Sequence, residues 1–435
     1  MKTTRYQWVK MLTVALLLTG VIATASSKIN LLQTEMVFVE IEARDKFDRS
    51  RIANLDLSIE AFRENSVWAL VNKEDLPAIL KSGEKILNVS QISSLDFPAE
   101  DTRFHNYKET VDALNFAVSM HADIAKIHTI GKSLEGRDIY AVQINSSFSD
   151  LKSGQSNKPG IIFMGTHHAR EHVSTEIPIM AIEYLLENRN DEKIAQFIET
   201  RDIWFIPMVN PDGVEWDISS GRYKMWRKNR RKNKDGSYGV DLNRNYGYGW
   251  GTGGSSKNPR SDIYMGEKPF SEPETQTIKR FVDEHLNANI LVSFHTFSEL
   301  ILYPWGGLKD PIANERDRKT HETIARNMAQ WNGYKPEQSS DLYIASGDTT
   351  DWSYGTHGII SFTFELSPKS MAGGGFYPGA KIIDRVFNDN LRPILYLIDI
   401  ADDPHQVLGE KRPDRVSLYG TENIDQSWFW NSKPY

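Results

Sequence analysis

The stretch from Pro159 to Arg189, PGIIFMGTHHAREHVSTEIPIMAIEYLLENR, decides how the rest of the chain is read. Ile161, Ile162, Phe163 and Met164 form a short unbroken apolar run, the pattern of a strand buried on both faces. Ile177, Met180, Ala181, Tyr184 and Leu185 recur at helical spacing and predict an amphipathic helix. The polar turn between them packs His167, His168, Arg170, Glu171 and His172 into six positions. In open α/β sheets, ligands bind at the carboxyl ends of strands, where such turns lie. Two imidazoles and a carboxylate suit half of a zinc site, because zinc takes nitrogen and carboxylate oxygen.

Working outward, two further apolar runs end in polar residues. NILVSFHT carries His295 near its end, and GIISFTFEL carries Glu365. Both read as buried strands, so their ends and the His-rich turn fall on one sheet edge. Before Pro159, residues 107–121 read as a helix, and AKIHTIGKS and DIYAVQIN as a hairpin around LEGR. After it, RDIWFIPMVN is a strand stopped at Asn210-Pro211-Asp212-Gly213. Residues 212–265 then read as one long functional loop. Ser271-Glu272-Pro273-Glu274 has the S-x-x-E form of a capping box. Helices near 316–332 and 380–400 complete an α/β sandwich: a mixed, mostly parallel central sheet flanked by helices.

The N-terminal part has a different texture. Residues 1–25 have a basic start, an apolar run and an Ala23-Thr24-Ala25 ending, the pattern of a cleaved signal peptide. The run is shorter than the roughly 18 residues a membrane span needs. Residues 26–95 alternate as β-α-β-α-β, which predicts a small α+β ferredoxin-like unit. The polar stretch 93–106 is a protease-accessible junction. The larger domain spans 96–402, and the tail 403–435 has no periodicity.

Composition bounds the chemistry. The 435 residues are 40% hydrophobic and 25% charged, with a net charge of −7, which argues against nucleic acid as a partner. The basic run 224–234 reads as a solvated loop apart from Arg227. With no cysteine in the chain, disulfides and thiolate metal sites are excluded, and any zinc is held by His and carboxylate.

His168-Ala-Arg-Glu171, Trp226-Arg227-Lys228, Asp241-Leu-Asn243-Arg244-Asn245, His295 and Phe364-Glu365-Leu366 together resemble the zinc carboxypeptidases, in the right order over residues 100–400. The GDxTDW and HTxSELILYP segments resemble the bacterial carboxypeptidase T-like branch of that family. The resemblance implies one zinc per chain, held by His168, Glu171 and His295, with a water as nucleophile. It implies Glu365 as general base, Arg227 as stabiliser of the oxyanion, and Asp241 as the carboxylate orienting His168. Asn243, Arg244 and Tyr343 would anchor the substrate's terminal carboxylate, with Arg170 assisting farther out. His167 and His172 match no metal role and read as structural.

The same resemblance implies that residues 26–95 are an inhibitory propeptide removed by an activating endoprotease, that structural calcium is bound, and that Ser367-Pro368 is cis. Thr350, small and neutral where the specificity pocket ends, and Asp348 nearby imply acceptance of both apolar and basic C-terminal residues. The expected protein is a monomeric, secreted bacterial enzyme acting on peptide and protein C-termini, without stable membrane association. Phe297 stands where relatives usually carry Tyr. A family relative acting on peptidoglycan stem peptides is the alternative. His168-x-x-Glu171-His172 also fits an inverted zinc motif, which would need 168–172 to be helical.

Overall fold

Gly160–Gly165 (β7) is buried along its whole length near the middle of an eight-stranded sheet. The computed structural model describes residues 36–55, 57–63, 65–91, 101, 103–148, 156–219 and 223–409. The signal segment, most of the junction 93–106 and most of the tail 403–435 lie outside these residues.

Four strands come first: β1 (Met36–Glu42), β2 (Ser58–Arg63), β3 (Ser66–Asn72) and β4 (Ile86–Gln91). They form an antiparallel sheet in the order β2-β3-β1-β4, with helices α1 (Lys46–Ala53) and α2 (Leu76–Lys81) between strands. This is the β-α-β-β-α-β ferredoxin-like arrangement. The β-α-β-α-β expectation missed β2, whose SIEAFR sequence places charges among its apolar residues.

The large sheet adds β5 (Ala125–Lys132), β6 (Asp138–Ile144), β7, β8 (Asp202–Ile206), β9 (Ala288–Thr296), β10 (Leu300–Tyr303), β11 (Lys335–Gln338) and β12 (Ile360–Leu366). Their order is β11-β10-β12-β9-β7-β8-β6-β5. The central pairs β12·β9, β9·β7 and β7·β8 are parallel, while β5·β6, β6·β8 and β10·β12 are antiparallel. Alternation along β7 splits the core: Ile161 and Phe163 join the cluster on one face, Ile162 and Met164 the cluster on the other. On β9, Ile290, Val292 and Phe294 join the first cluster, so Leu291, Ser293 and His295 face the second.

Helices cover both faces: α3 (Tyr107–Met120), α4 (Val173–Glu187), α5 (Glu192–Thr200), α6 (Pro211–Ile218), α7 (Pro273–Glu284), α8 (Glu315–Asn332), α9 (Ser339–Leu342), α10 (Thr349–His357) and α11 (Ile383–Ile400). The expected long loop is shorter than read, because Asn210 accepts from Gly213 N at 3.1 Å and caps α6, with Pro211 in the first turn. Among the described residues no helix is long and apolar enough to cross a membrane.

The capping box at Ser271 does not form. Glu272 takes the cap position without a side-chain cap bond, and Ser271 Oγ donates to Glu272 Oε1 at 2.7 Å. Glu274 instead accepts from Leu134 N at 3.0 Å and from Asn229 Nδ2 at 3.1 Å, tying α7 to the β5–β6 turn and to the loop after α6. Burial, with Glu272 as a like-charged neighbour, pushes Glu274 up to about 7. Its raised pKa means the folded protein holds this proton more tightly than the unfolded chain. The associated stability is therefore present below about 4.5 and lost as pH rises through about 7. Glu274→Gln removes that titration, so its melting temperature is expected to gain on the parent between pH 5 and pH 8. A parallel pH dependence for both proteins would refute the assignment.

The N-terminal unit meets the larger one through α1 and β3, against residues near Gly254, Phe297 and Asp341. Lys46 Nζ pairs with Asp341 Oδ1 at 2.9 Å, and Arg49 Nη2 donates to Asp341 O at 3.2 Å. Gly254 N donates to Asn54 Oδ1 at 3.4 Å. Trp68 is buried with Met225, Phe297 and Phe376, and Tyr343 packs against the core of the N-terminal sheet.

Candidate active site

The turn that leaves β7 is tightly built. Gly165 has room for no side chain, since a Cβ would lie 2.0 Å from Ser174 O in the incoming helix. Thr166 follows with φ of 58°, a region that β-branched residues rarely enter. Its hydroxyl is 3.2 Å from Ser174 Oγ and 2.5 Å from Thr175 Oγ1, and it donates to Pro207 O at 3.2 Å. These bonds hold a strained residue beside the His-rich stretch. Helix α4 begins only at Val173, so 168–172 is a turn and the helical inverted motif is not present.

His168, Glu171 and His295 converge and are buried, with one ligand atom from each lying within 4.8 Å of the others. His168 Nδ1 is 2.7 Å from Glu171 Oε1, His295 Nδ1 is 2.9 Å from Glu171 Oε2, and the two Nδ1 atoms are 3.1 Å apart. Two ring nitrogens and a carboxylate aimed at one buried point form the donor set of a catalytic zinc site. The residues fit the metal. Burial raises Glu171, but the opposed charges and bonds of His168 and His295 outweigh it and hold the carboxyl well below its usual range. Burial lowers His295.

The far side of each imidazole is also held, which fixes ring orientation. His168 Nε2 lies 3.2 Å from Asp241 Oδ1, and His295 Nε2 lies 3.0 Å from Ser293 Oγ. Arg227 Nε donates to Asp241 Oδ2 at 3.0 Å, and its Nη1 is 4.0 Å from Glu171 Oε1. Glu365 pairs across the sheet with His295 and Leu300, and it is the most exposed residue of β12.

The residues expected to bind a carboxylate lie in one group. Arg244 Nη2 donates to Tyr343 OH at 3.3 Å, and its Nε donates to Gly254 O at 3.0 Å. Asn243 Oδ1 accepts from Thr349 N at 3.0 Å and Thr349 Oγ1 at 2.9 Å, which turns Nδ2 toward His295 Nε2, 3.5 Å away. Arg170 is fully buried farther out, donating to Met225 O at 3.2 Å and lying 4.3 Å over the Phe376 ring.

Thr350 and Asp348 start α10. Asp348 Oδ1 accepts from Asp351 N at 2.7 Å and from Thr350 Oγ1 at 2.8 Å. Burial pushes Asp348 up, and burial with the Asp348 charge pushes Asp351 well up. Ser367–Pro368 is cis, as expected; Thr296–Phe297 and Pro304–Trp305 are cis as well.

Ser293 and Thr349 escaped the sequence reading. Ser293 was legible in principle, being two residues before His295 on the same strand face. Thr349 was not, because its partner Asn243 is 106 residues away. His167, read as structural, lies 3.2 Å from Ser293 Oγ, 3.1 Å from Thr349 Oγ1 and 2.9 Å from Tyr246 OH, joining the two groups. Among the described residues no second cluster of three His, Asp or Glu side chains could hold a metal ion.

A helix-flanked mixed sheet thus carries at its carboxyl edge a buried His-Glu-His set that could hold a zinc ion. The family description "Zinc carboxypeptidase" matches residues 110–392. A zinc carboxypeptidase of Saccharothrix mutabilis subsp. capreolus is 35% identical over 73% of this chain and 74% of its own. A metallocarboxypeptidase A-like protein of Trichophyton verrucosum is 32% identical over 75% and 81%. The carboxypeptidase A structure from Helicoverpa armigera superposes with a TM-score of 0.72 at 24% identity, covering 87% of this chain and all of that one. The chain belongs to the zinc carboxypeptidase family and is a peptide-bond hydrolase.

Proposed function

We propose that the chain is exported as a zymogen and that the trimmed enzyme removes both apolar and basic residues from peptide C-termini. The observation that carries the zymogen reading is the contact at Tyr343. A residue of the carboxylate-binding group is packed against the core of the N-terminal sheet, while Asp341 beside it is bonded by Lys46 and Arg49. A substrate terminus and the N-terminal unit would compete for that surface. The basic, apolar, small-residue pattern of 1–25 supports export.

Zinc held by His168, Glu171 and His295 would supply Lewis-acid chemistry to the scissile carbonyl and to the attacking water. Glu365 takes the proton of that water and returns it to the departing amine. Arg227, its guanidinium plane set by Asp241, donates to the developing oxyanion, a contact worth about 3 kcal/mol when removed. Arg244, Asn243 and Tyr343 hold the substrate carboxylate, the bidentate match an arginine fork provides.

Full-length protein is expected to be nearly inactive until cut near residues 93–96, after which it should shorten peptides one residue at a time from the C-terminus. A chelator should abolish this. Equal activity before and after trimming would remove the zymogen reading. Cleavage of peptidoglycan stem peptides with no action on peptide C-termini would favour the alternative substrate.

Specificity follows from the start of α10. Thr350 neither excludes apolar groups nor demands a cation, and its hydroxyl is turned onto Asp348. Full burial of an apolar side chain contributes about 1.5–3 kcal/mol, and the attraction of a basic side chain to buried Asp348 is offset by the cost of desolvating both charges. Rates on matched peptides ending in Phe, Leu, Lys and Arg should lie within about a hundredfold, roughly 2.7 kcal/mol, with Glu poorest. Asp348→Asn should slow Lys and Arg ends while sparing Phe and Leu. Because burial pushes Asp348 up, the rate on basic ends should rise relative to apolar ends with increasing pH. A larger preference for either class, or no effect of Asp348→Asn, would overturn this reading.

A further inference from the structure

We propose that Asp217 is a positioning residue that sets the reach of Arg227, acting together with His172 and Tyr377. The inference rests on the reading of Arg227 as the oxyanion donor. Arg227 follows an irregular stretch, 223–226, that has no helix or strand ladder to hold it. A catalytic guanidinium must be held to within about 0.5 Å of its working position, so something outside the stretch has to do it.

Asp217, near the end of α6, is fully buried, and its carboxylate takes over that task. Oδ1 accepts from Lys224 N at 3.1 Å and from Trp226 N at 2.8 Å. Oδ2 accepts from Tyr377 OH at 2.9 Å and lies 2.9 Å from His172 Nε2. The residue between those two amides, Met225, has φ of 55° and is pinned on both sides. Its N–H donates to Tyr377 OH at 3.2 Å, and its carbonyl accepts from Arg170 Nη1 at 3.2 Å. Arg227 O in turn accepts from Ala169 N at 3.0 Å, inside the turn that carries His168 and Glu171. One carboxylate thus binds the arm that carries Arg227 to His172, the residue next to a zinc-site carboxylate.

A buried carboxylate that only supported the fold would show its loss in stability, with substrate binding and turnover falling together. A positioning carboxylate predicts a split, because Arg227 acts most strongly on the transition state. The test uses the full chain activated by limited proteolysis. For Asp217→Asn, kcat is expected to fall roughly 10- to 100-fold, with KM within about threefold. Affinity for a phosphonate peptide, whose phosphoryl oxygen stands in for the oxyanion, should fall by the same factor. Affinity for hydrocinnamate, which engages the carboxylate anchor alone, should be unchanged, as should zinc content. Tyr377→Phe, which keeps the ring stacked 3.7 Å from Tyr223, should show the same split with a smaller loss and guards against misfolding of the first variant. In the Arg227→Ala background, Asp217→Asn should cost nothing further.

If Arg227→Ala itself leaves phosphonate affinity intact, the reading of Arg227 fails. If Arg227→Ala loses that affinity while both other variants keep it, or if they weaken hydrocinnamate equally, the role of Asp217 is refuted and the reading of Arg227 stands.

Discussion

Glu365→Gln is expected to lower kcat of the trimmed enzyme by about 10²–10⁴-fold, the range that a positioned general base contributes. The substitution keeps size and hydrogen bonding but cannot accept the proton of the attacking water. Glu365 lies on β12, directly paired with His295, so backbone register places it beside the zinc residues whatever its side chain does. The strand is otherwise buried, and its neighbours Phe364 and Leu366 are fully so on the opposite face, which leaves the glutamate as the most exposed residue of β12, on the face it shares with Thr363. Zinc content, melting temperature and KM should change little. A loss below tenfold, with zinc retained, would move the base elsewhere.

The second large effect is expected at His295. His295→Ala removes one of three converging donors, leaving His168 and Glu171 with only two protein ligands for a metal that ordinarily takes three in catalytic sites. Loss of a residue that merely supports a ligand weakens metal affinity 10- to 100-fold, so loss of the ligand should exceed about a hundredfold. Competition with a zinc chelator measures this without reference to activity. His172→Gln is the informative contrast. Although His172 adjoins Glu171, its Nε2 is bonded to Asp217 at 2.9 Å and takes no part in the converging set. That variant should therefore keep its zinc. Zinc lost from His172→Gln and kept in His295→Ala would reverse the assignment.

The contrast between these two histidines marks how far the sequence could be read. The continuous apolar runs of β7, β9 and β12 announce buried parallel strands, and strand ends on one edge bring His168, Glu171, His295 and Glu365 together. Period-2 alternation likewise assigns side chains to faces, so much of the sheet was legible from local pattern, while the choice of His168, Glu171 and His295 as the metal set rested on the resemblance to zinc carboxypeptidases. Where the pattern is weak, reading failed. The four-residue strands β10 and β11 are too short to show periodicity, and charged β2 hides its alternation. Ser271 to Glu274 has a capping motif, yet tertiary bonds from Leu134 and Asn229 claim Glu274.

By itself, then, the sequence determined the long buried strands β7, β9 and β12 and the helices α3, α4, α8 and α11, and its resemblance to zinc carboxypeptidases supplied the candidate zinc, base and carboxylate-binding residues. Only the tertiary structure decided which polar groups partner one another. Asn243 meets Thr349 across 106 residues, Tyr377 meets Asp217 across 160, and Lys46 meets Asp341 across 295. The physical reason is that backbone periodicity is a local property carried by neighbouring residues. The partner of a buried hydrogen-bonding group is instead set by which distant segments the folded chain brings within about 3 Å.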